Sequence, residues 1–83
     1  MSYVYVLIDP ASQEIYIGFS NDLRRRIDEH SGSVHRGWKL IYYEAYHSEQ
    51  DARRRERRLK DHGNAVRQLK DRILDSIELA RIG

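Results

Sequence analysis

The chain of 83 residues has no cysteine, a single proline and no long hydrophobic run. The lack of cysteine excludes disulfides and thiolate metal sites and fits a reducing compartment. No apolar segment approaches the ~20 residues that cross a bilayer, and the amino terminus lacks the basic start and cleavage site of a signal peptide. We therefore expect one cytoplasmic domain over residues 1–83, with no membrane partner and a small core.

Positive charge is present mainly as arginine. The formal net charge is only +2, but twelve arginines stand against three lysines, with runs at 24–26 and 53–58. Arginine binds planar anions such as phosphate in a forked geometry that lysine cannot match. Such clusters favour a nucleic-acid partner. A solvated helix face with i,i+4 ion pairs explains an arginine-rich run about equally well when the run is taken alone.

Three segments are predicted to be β-strands, at 3–8, 14–19 and 38–46. The first, "YVYVLI", is apolar throughout, which predicts a strand buried on both faces. The turn-forming "DPASQ" after it, with Pro10, ends that strand and predicts an antiparallel hairpin with the second.

Three helices are predicted around this sheet. The second helix is expected to begin at Ser48 and to stop at Gly63, and apolar residues at helical spacing from 66 to 80 predict one amphipathic last helix. The order β-β-α-β-α-α predicts an α+β, sandwich-like fold with a three-stranded antiparallel sheet flanked by three helices. The first helix has three candidate capping residues, Ser20, Asn21 and Asp22.

Tyrosines occupy strand positions where aliphatic residues would suffice for a core. Because alternate side chains share a face, Tyr5 and Tyr16 are expected side by side, opposite the aliphatic face of the sheet. Gly18 would leave an open spot beside them for a close approach to the backbone. A stabilising cross-strand aromatic pair is the simpler explanation, and periodicity alone favours it.

The two following helices each turn an ionisable residue toward the protein body. At ~100° per residue, Arg26 and His30 flank the apolar stripe formed by Leu23 and Ile27. On the next helix Glu56 lies within an apolar stripe, where a carboxylate is costly unless it is paired or binds a cation. Glu56 therefore has two alternative explanations: it forms a salt bridge with Arg26 or another arginine, or it is a metal ligand.

Paired tyrosines, an arginine, a histidine and a carboxylate together suit phosphodiester hydrolysis. Four segments carry a family resemblance: "YVY" at 3–5, "YIG" at 16–18, "NDLRRRIDEH" at 21–30 and "ARRRERRLK" at 52–60. In their order and spacing they resemble the GIY-YIG nuclease superfamily, and most of all its small stand-alone bacterial members. The first motif departs from the family pattern, because it reads Tyr-Val-Tyr.

The resemblance implies a metal-dependent endonuclease that hydrolyses DNA with a single Mg²⁺ or Mn²⁺ ion, in DNA repair or recombination. It implies that Glu56 holds the metal and that Gly18 is the motif glycine. The catalytic residues that it implies are Tyr5, Tyr16, Arg26 and His30.

Nucleic-acid contacts are expected from a wider set of basic residues that would follow the phosphate backbone without reading bases. We expect branched, flapped or single-stranded DNA rather than a specific duplex sequence, and a monomeric protein whose protein partner, if any, is unknown. Two alternatives stay open, a non-catalytic nucleic-acid-binding module and an adaptor for a repair partner. The expected backbone contacts are Arg25, Arg36, Lys39, Arg53, Arg54, Arg57 and Arg58.

Overall fold

A computed structural model describes residues 1–82 as a three-stranded sheet with four helices. The strand order is β2-β1-β3, and both pairings are antiparallel. This confirms the predicted α+β class and its antiparallel sheet, although the helices number four instead of three. The elements are β1 (Ser2–Ile8), β2 (Ile15–Ser20), α1 (Leu23–His30), β3 (Lys39–Tyr46), α2 (Glu49–Asp61), α3 (Gly63–Arg72) and α4 (Leu74–Ile82).

Strand β1 occupies the centre of the sheet because its side chains are apolar on both faces. Every residue from Val4 to Ile8 is at most 2% exposed. On one face, Val4 and Val6 form a core with residues of α2 and α3, among them Leu59 and Leu69. On the other face, α1 lies against the tyrosines, so the sheet separates α1 from α2. Helices α2 and α3 cover one face of the sheet, whereas α1 covers only part of the other, where Tyr43 is 53% exposed. Strand β2 forms one free edge between α1 and α2.

Two helices begin where polar side chains cap them. Asp22 is the N-cap of α1 and accepts a hydrogen bond from the Arg25 backbone N–H at 3.1 Å. Ser48 caps α2, as predicted, by accepting from the Asp51 N–H at 3.4 Å. The cap of α1 orients the helix that carries Arg26 and His30, and the cap of α2 does the same for Glu56.

The carboxy-terminal helices differ from the prediction in two ways. Helix α2 ends at Asp61 with His62 as its C-cap, so its end next to Gly63 was predicted, but Gly63 also begins α3. The single last helix is broken at Ile73, whose φ of −117° and ψ of 31° leave the helical region. Ile73 is buried in the core, so the break keeps this anchor in place while the chain changes direction.

Helix α4 runs back along β3 after that break. Ala80 is buried, and its carbonyl accepts a hydrogen bond from Lys39 Nζ at 3.0 Å. The outer side of α4 leaves Leu74, Leu79 and Ile82 at least 60% exposed. Among residues 1–82, none of the helices has the length and apolar character needed to span a bilayer.

Candidate active site

Tyr5 lies directly across the β1–β2 ladder from Gly18, and its ring covers that glycine. A Cβ at Gly18 would overlap the phenol carbon and oxygen of Tyr5 and lie 2.8 Å from its Cε1. The space that the sequence predicted at Gly18 is therefore filled by Tyr5 itself, so it is not open to an outside group. Tyr5 is fully buried in this position, with its ring centroid 6.2 Å from that of Tyr16.

His30, at the end of α1, contacts both tyrosines. Its Nε2 lies 2.7 Å from Tyr5 Oη, and its ring centroid lies 5.3 Å from that of Tyr16. Burial and the Tyr16 phenol raise the pKa of Tyr5 to about 12, against the opposing effect of Arg26. Burial, His35 and Arg26 lower the pKa of His30 below its ordinary value. Tyr5 Oη and His30 Nε2 therefore share a hydrogen bond between two uncharged groups, and the tautomer of the ring sets which of them donates.

Arg26 lies one helical turn before His30, at the margin of α1. Its side chain is 46% exposed and pairs with Glu29 Oε1 at 3.4 Å. The Tyr5 phenol and then Glu29 raise the pKa of Arg26, so the guanidinium stays charged beside the tyrosines. About half of this side chain can therefore contact an anion from solution. Its charge also acts to lower the pKa of Tyr5 and of His30.

Glu56 approaches the same edge of the sheet from α2. Its side chain is 18% exposed, and its Oε2 accepts from Lys60 Nζ at 3.0 Å. The predicted alternative of an ion pair was therefore right in kind, but the partner is a lysine one turn later on the same helix rather than an arginine. Because Lys60 is 47% exposed, the i,i+4 pair is expected to be weak, about 0.3–0.5 kcal/mol.

A cleft of about 390 Å³ runs along the β2 edge between α1 and α2. Tyr16 contributes to its floor, Arg25 and Arg26 to one wall, and Arg53 and Glu56 to the other. Tyr5 and His30 lie behind Tyr16 and are not part of the lining. Of the five residues singled out for catalysis or metal binding, three line the cleft, namely Tyr16, Arg26 and Glu56. His30 contacts Tyr16, and Tyr5 contacts His30.

A larger depression of about 530 Å³ lies on the other side of α1. Its lining is mainly apolar and includes Tyr3, Ile27, Leu40 and Tyr43. None of the residues singled out for catalysis or metal binding lies in that lining. Size alone therefore does not identify the functional site, and the smaller cleft has the polar groups that a charged substrate needs.

The donor set of the cleft suits a hard cation that is shared with a substrate. Among residues 1–82, no group of three or more histidine, aspartate or glutamate side chains could hold a metal ion unaided. The carboxylates of Glu56 and Glu29 both line the cleft. Mg²⁺ is commonly held by one or two carboxylates with waters and substrate phosphate, so these residues fit such an ion.

The basic residues expected to follow DNA are distributed over several surfaces. Arg53 lines the cleft, pairs with Glu49 at 2.9 Å and lies 4.2 Å over the Phe19 ring. Arg54 pairs with Asp51, and Lys39 lies on the opposite edge strand, bonded to Ala80. The others are exposed. Arg25 is on α1, where it also lines the cleft, Arg36 is in the loop before β3, and Arg57 and Arg58 are on α2.

His35 was not predicted, although it contacts this site from the loop between α1 and β3. Its ring centroid lies 4.3 Å from that of Tyr16 and 5.0 Å from that of His30. Trp38 packs against the other side of His35, with the centroids 4.8 Å apart. Loop residues follow no helix or strand period, so the sequence carried no signal for His35 beyond its proximity to a candidate histidine.

A cleft with a tyrosine, arginines and carboxylates at the edge of a small antiparallel sheet is of a kind that can bind and polarise a phosphate ester. The sequence matches the GIY-YIG catalytic domain over residues 1–70, so the chain belongs to the GIY-YIG family, a family of nucleases. The match ends within α3, and α4 lies beyond it. No curated protein and no solved structure matches the chain.

Proposed function

We propose that this protein is an endonuclease that depends on a divalent metal and hydrolyses phosphodiester bonds in DNA, in repair or recombination. The observation that carries the proposal is the convergence of α1 and α2 on the β2 edge. There Arg26 and Glu56 face one another across a cleft whose floor includes Tyr16. In this proposal residues 1–83 act as one cytoplasmic catalytic domain.

Arg26 binds the scissile phosphate in this mechanism. Its guanidinium stays charged and half-exposed at the wall of the cleft, so it can offset the negative charge that grows on the phosphate oxygens. Removal of one such preorganised donor typically costs about 10²–10³-fold in rate. A lysine would supply charge but not the planar pair of donors.

Tyr16 is the tyrosine that we assign to the attacking water. Tyr5 is fully buried, has a raised pKa and is committed to His30, so its role is to hold that ring in place. Tyr16 lines the cleft and packs against His30 and His35. Its phenol can therefore orient water at the phosphate while the imidazole behind it fixes the ring.

Glu56 would hold a single Mg²⁺ or Mn²⁺ ion together with the substrate phosphate. When bound, the ion would supply positive charge to stabilise the leaving oxygen. The exposed arginines around the cleft would neutralise the phosphate backbone, so affinity should fall steeply with salt. Because such contacts carry little sequence information, we expect branched, flapped or single-stranded DNA to be cut.

The test is nicking of branched, flapped and single-stranded DNA by the purified protein with Mg²⁺ or Mn²⁺. Wild type should cut, and Arg26→Ala and Glu56→Ala should each lose about 10²-fold or more. Arg81→Ala is the matched control, because Arg81 pairs with Glu78 on α4, outside the cleft lining. Equal cleavage by wild type and both site variants would refute the assignment, and salt-dependent binding without cleavage would favour a non-catalytic nucleic-acid-binding module.

A further inference from the structure

We infer that Lys60 is a positioning residue of the cleft that occupies the Glu56 carboxylate until a divalent cation displaces it, after which its ammonium is free to pair with a backbone phosphate of DNA. This inference rests on the proposed role of Glu56 as the metal ligand. Lys60 ends the segment 52–60 that carries the family resemblance, but neither the resemblance, the family match nor the cleft lining assigns it a role.

The contacts of Lys60 connect the metal carboxylate with the floor of the cleft. Its Nζ donates to Glu56 Oε2 at 3.0 Å and lies 5.9 Å from the ring centroid of Tyr16. Both partners of this contact belong to the proposed site. The ammonium is therefore placed between the group that would bind the cation and the group that would orient water.

Burial distinguishes this ion pair from the other i,i+3 and i,i+4 pairs of α2. Glu56 is 18% exposed and Lys60 47%. Both partners of Arg54–Asp51 and of Arg53–Glu49 are at least 46% exposed. A carboxylate withdrawn from water needs a counter-charge, and Lys60 supplies it to Glu56.

The pair is nevertheless weak enough to be exchanged. An i,i+4 Glu–Lys pair shifts a helix equilibrium by only about twofold. A divalent ion on the same carboxylate would repel the ammonium, and the flexible four-carbon stem of lysine lets it move away. The other carboxylate in the cleft, Glu29, already pairs with Arg26, which leaves a DNA phosphate as the anion that the displaced ammonium can meet.

Two binding measurements test this exchange without any cleavage. Electron paramagnetic resonance of Mn²⁺ reports metal binding to the DNA-free protein, and anisotropy of a labelled flapped oligonucleotide in Ca²⁺ reports DNA binding with a divalent cation present. In Lys60→Met we expect Mn²⁺ to bind roughly two- to tenfold more tightly. The same variant should bind DNA roughly two- to fivefold more weakly at low salt. Lys60→Arg should restore DNA binding because it restores the charge.

Arg54→Met removes the same charge from the same helix outside the cleft lining and should change Mn²⁺ binding by less than about twofold. If Arg54→Met tightens Mn²⁺ as much as Lys60→Met, the effect is one of net charge and the inference is overturned. It is also overturned if Lys60→Met leaves Mn²⁺ or DNA binding unchanged. Glu56→Gln separates this from the proposed function. Unchanged Mn²⁺ binding in Glu56→Gln contradicts the role of Glu56 itself, whereas lost binding there with no effect of Lys60→Met contradicts the role of Lys60 alone.

Discussion

Two neighbouring residues of α2, Arg55 and Glu56, face two regions that use the same residue types differently. Arg55 reaches Glu44 on β3, with its Nε 3.0 Å from Oε1 and its Nη2 3.0 Å from Oε2. Tyr42 donates to the same carboxylate at 2.6 Å, and Tyr46 donates to its other oxygen. We call this set of four residues the β3 cluster.

The β3 cluster is closed, whereas the cleft is open. Glu44 is 14% exposed and Arg55 25%, and Glu44 has a donor on each oxygen. Glu56 is held by Lys60, and Arg26 is half-exposed beside Glu29. Satisfied polar networks stabilise and specify a fold, whereas incompletely coordinated charges are available to a ligand. The coordination of a carboxylate, more than its burial, therefore separates the structural site from the candidate catalytic one.

The largest expected effect is on activity and comes from the open region. Glu56→Gln should reduce cleavage roughly a hundred- to thousandfold, because the amide keeps the shape but loses the charge that holds the cation. The free energy of unfolding should change by less than about 0.5 kcal/mol, since the lost ion pair is weak. Cleavage rates and urea unfolding of the same preparation provide the measurement, and a large loss of stability would erase the distinction.

The closed region should show the opposite response. Glu44→Gln leaves the half-buried Arg55 without its counter-charge, so the free energy of unfolding should fall by about 2–3 kcal/mol. Cleavage per folded molecule should stay within about twofold. Glu49→Gln, which loses the charge of an exposed pair with Arg53 and keeps an oxygen that can accept from Asn21, is the control in urea unfolding. A stable Glu44→Gln variant that had lost cleavage would place Glu44 in the active site instead.

Gly18→Ala should disturb the contact between Tyr5 and His30 behind the cleft. The new methyl group would overlap the Tyr5 phenol, so the ring must move away from His30 or the strands must separate. We expect a loss of about 1–3 kcal/mol in stability together with lower cleavage per folded molecule. Tyr5→Phe keeps the ring over Gly18 and tests the hydroxyl alone. Unaltered chemical shifts of His30 in Gly18→Ala would show that the contact does not position that ring.

Acid should affect the two regions in different pH windows, and this is the smallest effect. Burial would raise the pKa of Glu44, but hydrogen bonds from Arg55 and Tyr42 outweigh it and leave the pKa below its ordinary value. Its stabilising contribution is therefore complete above the unfolded carboxyl range, near ~4.3, and is lost as pH falls through the folded pKa. Urea unfolding between about pH 6 and pH 3 measures this dependence of the free energy of unfolding on pH. The dependence due to Glu44 should be absent in Glu44→Gln.

His30 should respond at higher pH than Glu44. Its pKa is lowered by burial, by His35 and by Arg26, so the neutral ring that is hydrogen-bonded to Tyr5 persists somewhat below ~6.5 and is lost as pH falls further. Cleavage should decline in that window while the fold is still intact. A decline that coincides with unfolding would remove the evidence for a separate titration in the cleft.

Local patterns predicted much of the fold. The apolar run of β1, the turn around Pro10 and the cap at Ser48 depend on near neighbours in sequence, and the structure has each of them. Helical phase also placed Glu56 toward the protein body, where it is only 18% exposed. These features were accessible because period and capping are properties of short segments.

Features that depend on tertiary contacts were not accessible. The break at Ile73 follows from the packing of α4 against β3. The contact of the Tyr5 ring with Gly18 follows from the strand register. His35 lies in an irregular loop. The pairing of Glu44 with Arg55 joins residues 11 positions apart on different elements, so no helical or strand period marks it.

In the proposed function, the divalent ion binds in the open cleft and on no other acidic surface. The most direct measurement is paramagnetic broadening by Mn²⁺ in the ¹⁵N spectrum of the DNA-free protein. We predict that broadening centres on the amides around Glu56 and extends to Glu29 and Tyr16, which share the cleft lining. Broadening centred on Asp22 and Asp28, on the far side of α1, or unchanged in Glu56→Gln, would contradict the claim.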